Sequence, residues 1–172
     1  MRPLLLVLAV LFAACGADGP GDETAPAVTS TSSMASASSS VPDSGVLPVG
    51  IGDSVRYGDS PQQVGSLRLP IDAGEAPFPV IAFIHGGFWR NTYDSSLSEP
   101  QAADARSKGY ATWNIEYRRV GDEGGGYPGT LDDIATAIDA LARIDAPLDL
   151  DRVFVVGHSA GGHLALWVGQ RD

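Results

Sequence analysis

The 172-residue chain has a single cysteine, few basic residues and no hydrophobic run of the roughly 20 residues needed to span a bilayer. One cysteine cannot form a disulfide within the chain. Eleven lysine and arginine residues stand against 21 acidic residues, so the formal net charge is −10 at pH 7. Because phosphate binding needs a basic face, this balance argues against nucleic acid as a partner. The length allows one domain but not two.

An unbroken apolar run, from Leu4 to Ala14, follows the positively charged Arg2. A helix that crosses a bilayer needs about 20 apolar residues, so this run is too short to span but suits the core of a signal peptide. Cys15 follows two small residues, as at a bacterial lipoprotein cleavage and lipidation site. We therefore expect residues 1–14 to be a signal peptide, and lipid on Cys15 to anchor an exported protein to the outer face of a cell-envelope membrane. An ordinary secretory signal with a secreted product is the alternative.

The next segment is rich in glycine, alanine, proline, aspartate, serine and threonine. Such a composition cannot bury enough apolar surface to offset the entropy of ordering the chain. We interpret residues 15–45 as a flexible tether and expect the folded domain to occupy residues 46–172.

Strand and helix patterns alternate in the folded part. The predicted strands are 54–57, 64–69, 80–84, 110–117 and 153–156, and the predicted helices are 98–108, 130–143 and the segment after Ser159. The first two strands read as an edge hairpin, and Thr130 is expected to cap the second helix. The alternation predicts an α/β fold, a three-layer sandwich whose mostly parallel sheet has helices on both faces.

A serine stands between the last predicted strand and its helix, in the sequence Gly157-His158-Ser159-Ala160-Gly161. A serine at such a tight turn is held in a strained backbone that pushes its hydroxyl out of the sheet. The amide of Ala160 lies at the helix N-terminus, where unpaired N–H groups favour an anion. We predict Ser159 as a nucleophile and Ala160 as an oxyanion donor. The alternative, a dinucleotide-binding turn, fails at the middle glycine of G-x-G-x-x-G, where Ser159 stands.

A second glycine-rich turn follows the strand at 80–84, in the sequence His85-Gly86-Gly87-Phe88-Trp89. Backbone N–H groups in such a loop can point at developing negative charge. We expect the amide of Gly86 or Gly87 to complete the oxyanion hole, and Phe88 and Trp89 to line the acyl pocket. The sequence indicates no cofactor and no metal site.

Together the two motifs resemble the oxyanion loop and nucleophile elbow of the α/β-hydrolases of the esterase/lipase group. The H-G-G-x-W form is most similar to the kynurenine formamidase-like and related carboxylesterase branches. The resemblance covers roughly residues 46–172 and implies a serine hydrolase that cleaves a small-molecule ester or related acyl bond, such as an aryl formamide. A serine peptidase of the prolyl-oligopeptidase type and a non-catalytic lipoprotein binding module remain alternatives.

A base and an acid are needed beside the serine, and in α/β-hydrolases both follow it along the chain. His85 belongs to the oxyanion loop, His158 flanks the nucleophile, and His163 lies one helical turn further, where we expect it to pack under the sheet. The sequence therefore indicates the N-terminal part of a hydrolase, with its acid and base beyond Asp172. We expect this polypeptide alone to be inactive or weakly active.

Two packing expectations accompany this interpretation. A sheet that stops at the strand 153–156 would leave that strand at an exposed, aggregation-prone edge. Glu116 and Arg118, at the end of the preceding strand, are expected to form a structural ion pair near the oxyanion loop.

Overall fold

The computed structural model describes residues 4–10, 45–47, 54–71 and 74–171, the first range as backbone only. Cys15 and nearly all of the predicted tether lie outside the described residues. In the described ranges, no helix is both long enough and apolar enough to cross a membrane. Lipidation, processing and the domain boundaries therefore stay predictions.

The described strands form one mixed sheet in the spatial order β1-β6-β4-β5-β3-β2. Their bounds are β1 Leu4–Val10, β2 Ser54–Arg56, β3 Val64–Arg68, β4 Phe78–Ile84, β5 Ala111–Ile115 and β6 Leu148–His158. Strands β1, β6, β4 and β5 are mutually parallel, while β3 runs antiparallel to β5 and pairs with β2 as an antiparallel hairpin. The predicted mostly parallel sheet with an edge hairpin is confirmed.

Three α-helices of the described residues cover the two faces of this sheet. They are α1 Glu99–Ser107, α2 Gly129–Ala140 and α3 Ala160–Val168, and short 3-10 turns occupy Ser95–Ser98 and Leu141–Arg143. Successive side chains of a strand point to opposite faces. Phe83 of β4 accordingly packs with Ala102 and Ala105 of α1, whereas Ile84 joins a larger core that includes side chains from α2 and α3. This is the predicted three-layer sandwich.

The order of the strands reverses direction at β4. The chain leaves β4 for β5 on one side and later returns to β6 on the other. In open α/β sheets such a switch point opens a crevice beyond the carboxyl ends of the strands, where ligands bind. Ile84, the last residue of β4, is paired with Gly157 near the end of β6. The two predicted turns therefore leave the sheet side by side.

The start of α2 differs from the prediction. Pro128 is the N-cap residue and makes no side-chain capping bond, and Thr130 lies inside the first turn. The Thr130 hydroxyl instead donates to the carbonyl of Arg118 and accepts the N–H of Gly126. The prediction that Thr130 caps the helix is wrong, because its buried hydroxyl satisfies backbone groups of the preceding loop.

The expectation that β6 lies at the sheet edge is also wrong for the described residues. The backbone of β1 pairs in parallel with β6, with Leu4 opposite Arg152 and Val10 opposite His158. A short continuous apolar run suits a buried parallel strand as well as a signal-peptide core, and periodicity alone does not separate the two. The interpretation of residues 1–14 as a signal peptide concerns processing of the chain and stays a prediction.

Candidate active site

Ser159 stands between β6 and α3 with φ 54° and ψ −119°. This positive φ is uncommon for a residue with a side chain, and such strain clusters at functional sites. The Ser159 side chain makes no capping bond to α3 and lines a cavity at the carboxyl ends of β4 and β6. The geometry expected of a nucleophile elbow is thus present.

The elbow packs against the end of β4 without room for side chains. A Cβ placed on Gly161 would lie 2.0 Å from the carbonyl oxygen of Ile84, and a Cβ on Gly157 would lie 2.1 Å from that of Gly161. Atoms at these distances overlap, so only glycine allows the first turn of α3 to approach both strands.

The oxyanion loop and the elbow are in direct contact. A Cβ placed on Gly86 would lie 2.7 Å from the carbonyl oxygen of His158 and 3.3 Å from Cβ of Ser159. In the described part of the chain, neither Gly86 nor Gly87 donates a backbone hydrogen bond from its N–H. Ala160 is the first residue of α3, where helix N–H groups have no partner within the helix. The structure therefore brings together Ser159 and the three predicted oxyanion donors.

A cavity of about 580 Å³ opens beside Ser159, Gly86 and Gly87. Its walls are mainly apolar, and they include Phe83, Phe88, Tyr93, Leu97 and Val156, with Gln101 as a polar member. Phe88 therefore lies where the sequence predicted, at the wall of the cavity that reaches the serine.

Trp89 lies elsewhere. It lines a separate cavity of about 290 Å³, together with Phe88 and His163, and its ring meets the His163 ring edge to face at 5.7 Å. His163 is exposed and does not pack under the sheet, so that part of the prediction is wrong. Phe88 and Trp89 both have positive φ values, 54° and 57°, which turn the loop sharply. The Trp89 ring therefore lies against His163 and not in the cavity beside Ser159.

Two of the three histidines make contacts away from Ser159. His85 is fully buried, and its ring nitrogens face the Gly86 carbonyl and the Glu116 carboxylate. His158 is exposed beside Ser159, and His163 contacts Trp89. Within the described residues, none of these rings is hydrogen-bonded to Ser159.

Glu116 is a residue of this site whose contacts the sequence did not indicate. Its carboxylate lies 3.3 Å from Nε2 of His85 and 2.9 Å from Nη1 of Arg119, and it accepts the N–H of Ser95 at 2.8 Å. Arg118 instead pairs with the buried Asp133 at 2.6 Å. The expected Glu116–Arg118 pair is therefore wrong. The only sequence signal for the observed pair was the three-residue spacing from Glu116 to Arg119.

The surroundings of Glu116 favour its charged form. Burial acts to raise the pKa of the Glu116 carboxyl, but hydrogen bonds from His85 and Ser95, with electrostatic interactions with His85 and Arg119, outweigh it and hold that pKa below its ordinary value. Burial likewise raises the pKa of the Tyr117 phenol, whose ring stacks on that of His85 at 4.4 Å. A cluster of ionic and aromatic groups thus lies directly behind the oxyanion loop.

This arrangement suits acyl transfer. It combines a hydroxyl on a strained turn, backbone N–H groups without backbone acceptors and an apolar cavity beside them. Among the described residues, no three histidine, cysteine, aspartate or glutamate side chains come together as a metal site would require.

Comparisons with solved structures support the same fold. Esterase B from Lactobacillus rhamnosis, in a structure with a tributyrin phosphonate, has a TM-score of 0.59 and 32% identity, covering 72% of this chain and 41% of that one. Esterase 2 of Thermogutta terrifontis, phosphoramylated by tabun, has a TM-score of 0.57 and covers 67% of this chain and 46% of that one. At 21% identity the second likeness shows the fold alone.

The chain is also similar in sequence to parts of two curated proteins. Esterase LipC of Mycobacterium tuberculosis is 32% identical over 120 residues, or 67% of this chain and 28% of LipC. A probable isoprenylcysteine alpha-carbonyl methylesterase of Oryza sativa subsp. japonica is 30% identical over 120 residues, or 65% of this chain and 27% of that protein. The chain thus spans little more than a quarter of the length of these curated relatives. The BD-FAE family model matches residues 67–172, so the chain belongs to the BD-FAE family of α/β-hydrolase-fold esterases.

Proposed function

We propose that the protein is a serine hydrolase that cleaves a carboxylic ester or related acyl bond through an acyl-enzyme on Ser159. The observation that carries this proposal is the contact between the strained Ser159 turn and Gly86 at the mouth of an apolar cavity. The esterase relatives support the same reaction class.

In the first step, Oγ of Ser159 bonds to the substrate carbonyl carbon and its proton passes to a base. The carbonyl oxygen takes up the negative charge and accepts hydrogen bonds from Ala160 and from Gly86 or Gly87. The bond to the leaving group then breaks, and the leaving group takes the proton from the base. Water next attacks the acyl-enzyme, which releases the acid and restores the serine hydroxyl.

We propose that the base and its orienting acid are residues outside the described part of the chain. The partners of His85 and the contact of His163 with Trp89 leave neither ring bonded to the nucleophile. Electrostatic stabilisation without such a base retains only residual catalysis.

The cavity supports an acyl group that is small and apolar. About 580 Å³ bounded by Phe83, Leu97 and Val156 accommodates a short acyl chain or a ring and offers few polar partners. The tributyrin phosphonate in the esterase B structure is a ligand with short acyl chains, which agrees with this substrate class.

We also propose that the protein is exported and held at the outer face of a membrane by lipid on Cys15, with residues 15–45 as tether. The position of Cys15 after the apolar run supports this arrangement. It requires cleavage before Cys15, which would remove the residues of β1 from the sheet and leave β6 at the edge. A Cys15→Ser variant that stayed in the membrane fraction would contradict it.

Covalent labelling tests the proposed nucleophile. In the full-length protein, a fluorophosphonate probe should label Ser159, and labelling should disappear in Ser159→Ala. Ser107→Ala, which changes an exposed serine at the end of α1, is the matched control and should be labelled normally. A peptidase would also be labelled, and it would differ by cleaving peptides faster than p-nitrophenyl esters. An unlabelled wild-type protein would favour the binding module over the enzyme.

A further inference from the structure

His85 is buried at the centre of the candidate site, yet the proposed reaction gives it no role. Its side chain is fully inaccessible, and Tyr117 stacks on its ring while donating its hydroxyl to the His85 carbonyl at 2.8 Å. A polar ring held this tightly, one residue from the oxyanion loop glycines, needs an explanation beyond packing.

We propose that His85 is a positioning residue that fixes and polarises the Gly87 amide as the oxyanion donor of this loop, and that Glu116 holds the His85 ring in place. The proposal rests on the proposed function and names which of the two candidate amides acts.

The first step concerns the Gly86 carbonyl. Nδ1 of His85 lies 2.7 Å from this oxygen, which can only accept a hydrogen bond, so Nδ1 carries a proton and donates it. The peptide between Gly86 and Gly87 is trans, because the cis bonds of the described chain are at two X-Pro positions. In a planar trans peptide the carbonyl and the next N–H point in opposite directions. The contact that holds the Gly86 oxygen against the His85 ring therefore directs the Gly87 N–H away from that ring.

The second step concerns the strength of the Gly87 donor. A hydrogen bond to a carbonyl oxygen polarises the whole peptide group and makes its N–H a better donor. Gly87 lines the cavity beside Ser159, and its N–H has no backbone acceptor in the described part of the chain. The His85 contact thus prepares one amide for the negative charge that develops on the substrate oxygen.

The third step concerns what holds the ring. Nε2 faces the Glu116 carboxylate at 3.3 Å, and that carboxylate also receives Arg119 and the N–H groups of Ser95 and Tyr117. Arg119 is tied in turn to Asp122 and to the carbonyl of Tyr93. The oxyanion loop is therefore braced against the segment after β5 through one carboxylate. Removal of the Glu116 charge would weaken the contact at Nε2 and so loosen the hold of the ring on the Gly86 carbonyl.

Two histidine replacements separate positioning from packing. Asparagine carries an amide at the δ position and can replace the Nδ1 donor, whereas glutamine carries it at the ε position and cannot. In the full-length protein we expect His85→Asn to keep kcat for p-nitrophenyl acetate within about threefold, and His85→Gln and Glu116→Gln to lower kcat by about tenfold or more, short of the hundredfold typical of deleting a donor. KM should change little in all three, because the contact acts on the developing charge.

Asp133→Asn is the matched control, because it removes a carboxylate from another buried ion pair that does not touch the loop. It should lower the melting temperature without lowering kcat. Equal kcat for His85→Asn and His85→Gln, or an equal loss in Asp133→Asn, would overturn the proposal.

A second measurement does not depend on activity. Nitrogen-15 NMR of the imidazole rings should show a proton on Nδ1 of His85 at neutral pH, and Glu116→Gln should alter that ring's signals while Asp133→Asn leaves them unchanged. A bare Nδ1 would overturn the positioning role. If the wild-type protein showed no Ser159-dependent turnover, the proposed function would fail, and the NMR result would still decide the His85 contact.

Discussion

At the scale of single residues, the loop that carries Phe88 and Trp89 is the least expected feature. Both residues have left-handed backbone angles, with φ values of 54° and 57°. A side chain in this region costs on the order of 1–2 kcal/mol relative to glycine. In the sequence Phe88 is an aromatic residue next to two glycines. The order of residues does not indicate that its backbone adopts a conformation that favours glycine.

Replacing Phe88 separates backbone strain from substrate contact. At an ordinary exposed position glycine is less stable than alanine by roughly 0.5–1 kcal/mol. At this position we expect the order to reverse, with Phe88→Gly more stable than Phe88→Ala by about 1 kcal/mol in urea unfolding. Both variants should raise KM for esters, since the ring forms a wall of the cavity. Alanine more stable than glycine would show that the backbone strain is absent in solution.

At the scale of elements, the approach of α3 to β4 sets the position of Ser159, the proposed nucleophile. Apolar runs and helix signals identified both elements, and the G-x-S-x-G spacing indicated the turn between them. The distances could not be read from the sequence, because they depend on the pairing of β4 with β6, two strands far apart in the chain. The contacts of Glu116 with His85 and Ser95 were missed for the same reason, because they also join residues far apart in the chain.

The glycine at the start of α3 provides a direct test of this packing. An alanine at Gly161 would place its Cβ 2.0 Å from the Ile84 carbonyl oxygen and push the helix away from the sheet. We expect Gly161→Ala to lower the free energy of unfolding by about 1–3 kcal/mol, as overpacking does, and to abolish fluorophosphonate labelling. Gly74→Ala is the control, because a Cβ there meets nothing within 4 Å, and it should stay within about 0.5 kcal/mol of wild type. Equal effects of the two changes would contradict the described contact.

At the scale of the whole molecule, acid has two opposite effects on stability, one through the net charge of −10 and one through the buried ion pairs. Protonation of surface carboxylates lowers the overall negative charge and so relieves self-repulsion. Protonation of Glu116 instead removes the partner of His85 and Arg119. Only a comparison between matched variants separates the two effects.

The pH dependence of stability should therefore differ between the wild type and Glu116→Gln. Because the pKa of Glu116 is lowered in the fold, its charge stabilises the protein above the unfolded value of about 4.3, and that contribution is lost as pH falls through the folded pKa. We expect the difference in unfolding free energy between the two proteins to be greatest near pH 7 and to shrink below about pH 4. Urea unfolding across this range measures it. A difference independent of pH would show that the Glu116 charge contributes nothing to stability.

The overall architecture was the part most open to prediction. Alternating strand and helix patterns predict the layers, and the two glycine motifs predict that the site lies at the carboxyl ends of the strands before them. The pairing of β1 with β6 was not anticipated. Residues 4–10 carry the same apolar pattern whether they enter a sheet or a membrane, so composition assigns them to neither.

The chemical groups and the shape of the cavity come from different parts of the chain. Ser159 lies at the end of β6 and Gly86 and Gly87 follow β4, whereas Tyr93 and Leu97 belong to the connection between β4 and α1 and Gln101 to α1 itself. The same connection gives the Ser95 N–H to Glu116 and the Tyr93 carbonyl to Arg119, so a grafted connection would change both the cavity wall and the support of the oxyanion loop. The shape of the cavity and the support of the loop are therefore coupled through one connection, while Phe83 and Val156 of the sheet form another part of the wall.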